Sequence, residues 1–116
     1  MTISDVARIL DADWVCGEEH RDTEVHTACG SDMMSDVLAF VKDQSILLTG
    51  LVNPQVVRTA DMMDMVCIVF VRGKVPTPDM IELAKERGIV LLCTSLRMFP
   101  ACGRLYAGGL SGGTGD

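Results

Sequence analysis

Aromatic residues are scarce in this sequence, at 4% of 116 residues, so Leu, Val, Ile and Met must fill its core. None of its five cysteines stands in a C-x-x-C pair, which removes the common zinc and thioredoxin spacings. There is no G-x-G-x-x-G and no G-x-x-x-x-G-K-[ST], so neither common nucleotide fingerprint is present. There is no H-E-x-x-H and no G-x-S-x-G, and no nucleophile can be matched with a base, so an enzyme is not expected. No cofactor is implied. Basic residues are few: 10 Lys and Arg stand against 16 Asp and Glu, a net charge of −6. Phosphate backbones and anionic lipid surfaces are held largely by Lys and Arg, so nucleic acid and membrane are both poor partners for such a chain. No window approaches the run of about 20 apolar residues that a membrane helix needs. The opening MTISDVARIL has neither the basic start nor the apolar stretch of a signal peptide, so a cytoplasmic location is expected.

What is present is a balanced globular composition, 48% apolar and 22% charged, at a length that fits one domain. Residues 1–110 read as that domain and SGGTGD, residues 111–116, as a flexible tail. Thr2 and Asp5 fit a capping box for a first helix reaching about Leu10. Asp13–Cys16 and Val25–Ala28 are short candidate strands on either side of a polar loop, residues 17–24. That loop and its flank hold His20 and His26, expected at the surface. Ser31 reads as an N-cap with Asp32 in the first helical turn, where the helix dipole favours negative charge. Met33, Val37, Phe40 and Val41 would form the buried face of that helix, widened by Met34 and Leu38.

From residue 46 the pattern is regular. SILLTG, VCIVFVRG and IVLLCTS are apolar runs of the kind found in strands covered on both faces. Between them, NPQVVRTADMMD and TPDMIELAKERG each begin with a capping residue followed by proline, and Gly88 terminates the second. MFPACGRLYAGG is a last helix if Pro100 falls in its first turn. Strand–helix alternation of this kind predicts a three-layer α/β/α domain with a mainly parallel central sheet.

In such sheets ligands collect beyond the carboxyl ends of the strands. Three strand ends are readable, and Thr49, Gly50, Asn53, Arg72, Gly73 and Thr94 are the candidate ligand-binding residues there. Hydroxyls, small residues and a cation suit a small anion such as a phosphorylated metabolite or nucleotide. The same residue types are also what turns and caps require. Cys67 and Cys93 lie inside apolar runs and read as core residues, whereas Cys29 and Cys102 stand among small residues and are candidates for a redox or metal-handling role. Asp61–Met65 carries more apolar surface than one helical stripe buries, which points to self-association as a two-fold homodimer.

From ACGSDMMSDVLAF through LLTGLVNPQVVRTADMMDMVCIVFVRG to CTSLRMFPACGRLY, about residues 28–110, the chain resembles a free-standing DRTGG domain, a family similar to the N-terminal domain of HPr kinase/phosphorylase. The resemblance implies an α/β/α regulatory or assembly domain that associates with itself, and for stand-alone members a protein partner in redox metabolism linked to iron hydrogenases. The positions that would carry the family's signature read Leu51-Val52-Asn53 and Val71-Arg72-Gly73 here, and the strand-end glycines are kept.

Overall fold

The computed structural model describes residues 1–41, 43 and 45–113. Helix α1 (Ile3–Ile9) opens with the expected capping box. The Thr2 hydroxyl accepts from the Asp5 N–H, and the Asp5 carboxylate accepts from the Thr2 N–H at 2.9 Å. That backbone bond, seconded by Arg8, holds the Asp5 carboxyl down at about 2. Strand β1 (Asp13–Cys16) follows, and then a single 3₁₀ turn, Glu18–His20, within the polar loop. The rest alternates: β2 (Ala28–Gly30), α2 (Met34–Phe40), β3 (Ile46–Thr49), α3 (Pro54–Met62), β4 (Cys67–Phe70), α4 (Pro78–Arg87), β5 (Val90–Cys93) and α5 (Met98–Ala107). Asn53 and Thr77 cap α3 and α4 with proline directly after each, and Gly88 ends α4 in the left-handed conformation. Pro100 lies in the first turn of α5, so no helical hydrogen bond is lost to it.

The strands form one sheet in the order β1-β5-β4-β3-β2. β2 to β5 are parallel, and β1 runs antiparallel along the outer edge of β5. The three-layer architecture follows from which side chains each face presents. Ile46, Leu48, Cys67, Val69, Val90 and Leu92 pack under α1 and α5. Leu47, Ile68, Phe70 and Leu91 pack under α2, α3 and α4. Every residue of β3 and β4 is buried, as a strand covered on both faces requires.

Three readings shift. The strand expected over Val25–Ala28 lies at Ala28–Gly30, because Val25 is a core residue hydrogen-bonded to Met1 beside α1. The second helix starts at Met34 without a side-chain cap: the Ser31 hydroxyl bonds the Met33 N–H in a local turn instead. Met34, Val37 and Val41 are buried, whereas Met33, Leu38 and Phe40, expected on the buried face, point outward, Phe40 at 75% exposure. Ser111, placed by sequence in the C-terminal tail, hydrogen-bonds the outer edge of β2 through His26 and Ala28. Residues 114–116 of that tail, and Lys42 of the expected helix, lie outside the described residues.

One buried polar atom has no hydrogen-bond partner among the described residues, the Thr59 hydroxyl on α3. A buried hydroxyl without a partner costs about 1–3 kcal/mol. Thr59→Val keeps the shape and removes the group, and is expected to raise stability by about 1 kcal/mol. Urea unfolding of the two proteins checks it, and a loss of stability would mean the hydroxyl is satisfied.

Candidate functional site

The carboxyl ends of β2 to β5 open on one rim, as their common direction demands. α2, α3 and α4 follow β2, β3 and β4 onto one face, whereas α5 leaves β5 for the other. The crevice where adjacent connections diverge is the usual ligand position in open α/β sheets, and here it lies between β4 and β5. It is closed by backbone. Val71–Lys74 forms a tight turn in which Arg72 and Gly73 both have positive φ, 60° and 71°, and Lys74 N–H bonds Val71 C=O. Positive φ at both central residues is the mark of a type I′ turn, and glycine supplies the second at no steric cost. The turn then binds the loop after β5: Arg72 N–H to Leu96 C=O at 2.7 Å, and Gly73 N–H to Thr94 C=O at 3.0 Å. The buried Thr94 hydroxyl donates to Leu10 C=O at 2.7 Å, away from the rim.

The other half of the rim is built around a residue that sequence reasoning placed elsewhere. The Asp32 carboxylate accepts from the Gly50 N–H at 2.7 Å, from the Thr49 hydroxyl at 3.1 Å and from the Arg72 guanidinium at 3.3 Å. Asp32 therefore lies before α2 as a link from the β2–α2 connection to the ends of β3 and β4, not in the helix's first turn. Its carboxyl is held below the ordinary carboxylate range, chiefly by the Gly50 N–H, with Thr49 and Arg72 adding to it against some burial. Gly50 has a specific reason to be glycine. A Cβ there would collide with the Arg72 guanidinium, which lies across the strand end to reach Asp32. Of the six candidate residues, Thr49, Gly50 and Arg72 meet at one point. Asn53 caps α3 by accepting from Gln55 N–H, and Gly73 and Thr94 close the β4–β5 side. Asp32 itself was the residue missed. Its partners are 17 to 40 positions away, so no local pattern could reveal them.

The two candidate cysteines pack against different faces of the sheet. Alternation along β2 sends Cys29 toward the α2–α4 face, while Ala28 and Gly30 face α5. Cys102 lies on the α5 side, its sulfur 2.9 Å from where a Gly30 Cβ would stand and 3.7 Å from Met98 Sδ. Both residues border a cavity of about 170 Å³ between the β2 edge, α5 and the Leu110–Gly112 segment. Burial, seconded by Cys102, pushes the Cys29 thiol up to about 11, and burial raises that of Cys102. Thiols held protonated in this way are weak nucleophiles at neutral pH. Cys67 is fully buried and Cys93 partly so. His20 and His26 are both exposed, and no group of three or more His, Cys, Asp or Glu among the described residues could hold a metal ion. No helix among them is long and apolar enough to cross a membrane.

Two substitutions test the Asp32 link. Asp32→Asn should cost about 1–2 kcal/mol at neutral pH, the order of a charge-assisted hydrogen bond on a half-exposed group. Asp32 is depressed in the fold, so its contribution is full above the unfolded carboxyl value of about 4 and disappears as pH falls through the lower folded value. Urea unfolding at successive pH values should show the two proteins converging in acid; a gap independent of pH would reject the link. Gly50→Ala should lift the flexible Arg72 side chain off Asp32 yet cost less than about 1 kcal/mol, because the guanidinium can move into solvent. Loss of the Arg72 side-chain contact to Asp32 in NMR spectra, with the fold intact, reads that outcome.

Comparison with known proteins agrees with this architecture. A solved structure from Clostridium perfringens, the CBS and DRTGG domains of the regulatory region of a pyrophosphatase complexed with its activator diadenosine tetraphosphate, superposes with a TM-score of 0.71 at 18% sequence identity. The match covers 90% of this chain and 45% of that one, so the present chain spans about half of its length. No curated protein matches the chain by sequence. The family model described as the DRTGG domain matches residues 5–106, nearly the whole of the α/β/α unit, and the chain belongs to the DRTGG domain family.

Proposed function

We propose that this DRTGG domain is a non-catalytic regulatory module that binds a small anionic ligand, of the nucleotide or phosphorylated-metabolite class, at the rim centred on Thr49, Gly50 and Arg72 and flanked by Asn53, Gly73 and Thr94. One observation carries the reading. A backbone N–H, a hydroxyl and a guanidinium converge on a single negatively charged group, the Asp32 carboxylate. That donor set is chemically what a phosphate or carboxylate requires. The similar Clostridium perfringens structure is of a regulatory region with a polyanionic nucleotide activator, which favours the same ligand class. Binding acts through unequal affinity for two arrangements of the domain or its assembly.

Self-association belongs to the same reading. Met62 stands exposed on α3, as do Met33 just before α2, Phe40 on α2, and Phe99 and Tyr106 on α5, whereas Met65, from the same methionine-rich stretch, is in the core. Light scattering reads the oligomer directly, and a monomer at high concentration removes that part of the reading. The thiol-based redox or metal-handling alternative draws less support, since Cys29 and Cys102 face opposite sides of the sheet.

Calorimetric titration with diadenosine tetraphosphate and with inorganic pyrophosphate tests the ligand reading. At least one should bind, and Arg72→Ala should weaken it about tenfold, the equivalent of about 1.4 kcal/mol. Unchanged affinity would remove Arg72 from the site, and absence of binding by either compound would remove the anion reading.

A further inference from the structure

The donor cluster at the rim is already occupied by a group of this chain. Asp32 lies in the connection between β2 and α2, and its carboxylate is half exposed, at 44% of its side-chain surface. It fills the position at which Gly50 N–H, Thr49 Oγ1 and Arg72 converge. An exogenous anion cannot use those donors while Asp32 holds them, because two negative groups at one point repel and the donors are few. The helix that follows is otherwise loosely begun. α2 is seven residues long and has no side-chain N-cap, and the turn before it is held by the Ser31 hydroxyl on Met33 N–H. Met33 just before this helix, and Leu38 and Phe40 on it, face solvent.

We propose that Asp32 is an internal competitor for the anion cradle: a ligand anion displaces its carboxylate, and displacement frees the β2–α2 connection and the start of α2. This rests on the ligand reading above and supplies its means of regulation. Occupancy of the rim is converted into a change at a helix whose outer face is apolar. In the closed state the apparent affinity for an anion is reduced by the fraction of molecules in which Asp32 has let go. No covalent chemistry is involved, only an exchange of hydrogen-bond acceptors.

The test uses inorganic pyrophosphate as probe, with the full chain, Asp32→Asn and Asp36→Asn. The asparagine oxygen at 32 can still accept from Gly50 N–H, so the fold is kept while the charge is removed. Asp36→Asn removes the same charge one turn away, outside the cradle, and controls for general electrostatics. Asp32→Asn should bind pyrophosphate about tenfold or more tightly than the unsubstituted chain, the relief expected if the open form is a minority of about a tenth. Asp36→Asn should stay within about twofold, the size of a screened surface effect. In the unsubstituted chain, pyrophosphate should speed amide exchange at residues 33–37 and leave the β3 and β4 amides protected. If pyrophosphate binds but Asp32→Asn is no tighter, or Asp36→Asn tightens equally, or exchange at 33–37 is unchanged, the competitor is rejected and the ligand reading stands. If pyrophosphate binds neither the unsubstituted chain nor Asp32→Asn, the competitor is rejected, and the ligand reading falls with it only if diadenosine tetraphosphate also fails to bind.

Discussion

Burial of β3, β4 and β5 from both sides is the constraint on which the rest of this molecule depends. Ile46, Leu47, Leu48, Ile68, Val69, Phe70, Leu91 and Leu92 are all sealed from solvent. Such strands must be covered above and below, and parallel neighbours must be joined by crossovers. With the strands adjacent in chain order, right-handed crossovers stack α2, α3 and α4 on one face. The opposite face is then left to α5 and to the N-terminal helix. This division obliges the chain after β5 to part company with the chain after β4. The resulting gap is zipped by the Arg72–Gly73 turn bonded to Thr94 and Leu96. Turn chemistry and site geometry at the rim are thus products of one packing requirement.

What could be read from the sequence is what depends on near neighbours. Thr2 with Asp5, Asn53 with Pro54, Thr77 with Pro78 and Gly88 all announce helix boundaries within four residues, and each does so in the structure. The buried strands were legible because covering both faces leaves an unbroken apolar run. The segment from residue 25 to 41 was less legible for a physical reason. Val25 serves the α1 core, Ala28–Gly30 is an edge strand of three residues, and Ser31 and Asp32 imitate a helix cap while serving other partners. Asp32 is bound by residues from two later strand ends, a relation carried only by tertiary structure.

The rim holds its polar groups in a shallow, backbone-closed surface. Its polar groups are satisfied in the folded chain, as buried or half-buried donors must be. Thr49, Gly50 and Arg72 are therefore committed to structure through the Asp32 carboxylate. The apolar residues left outside on α2 and α5 stand on either side of the sheet, close to the edge that carries β2.

The outermost antiparallel strand gives the domain an order in time. β1 leaves the ribosome before any other strand of this domain, yet its residue Asp13 pairs with Cys93. During synthesis the amino-terminal strand has no neighbour to pair with until nearly the whole domain has emerged. Pairing between such distant segments is slow, because the intervening chain must first be gathered in. The domain therefore reaches its finished form only as its translation ends, and an early stop before β5 would leave β1 without the strand it pairs with.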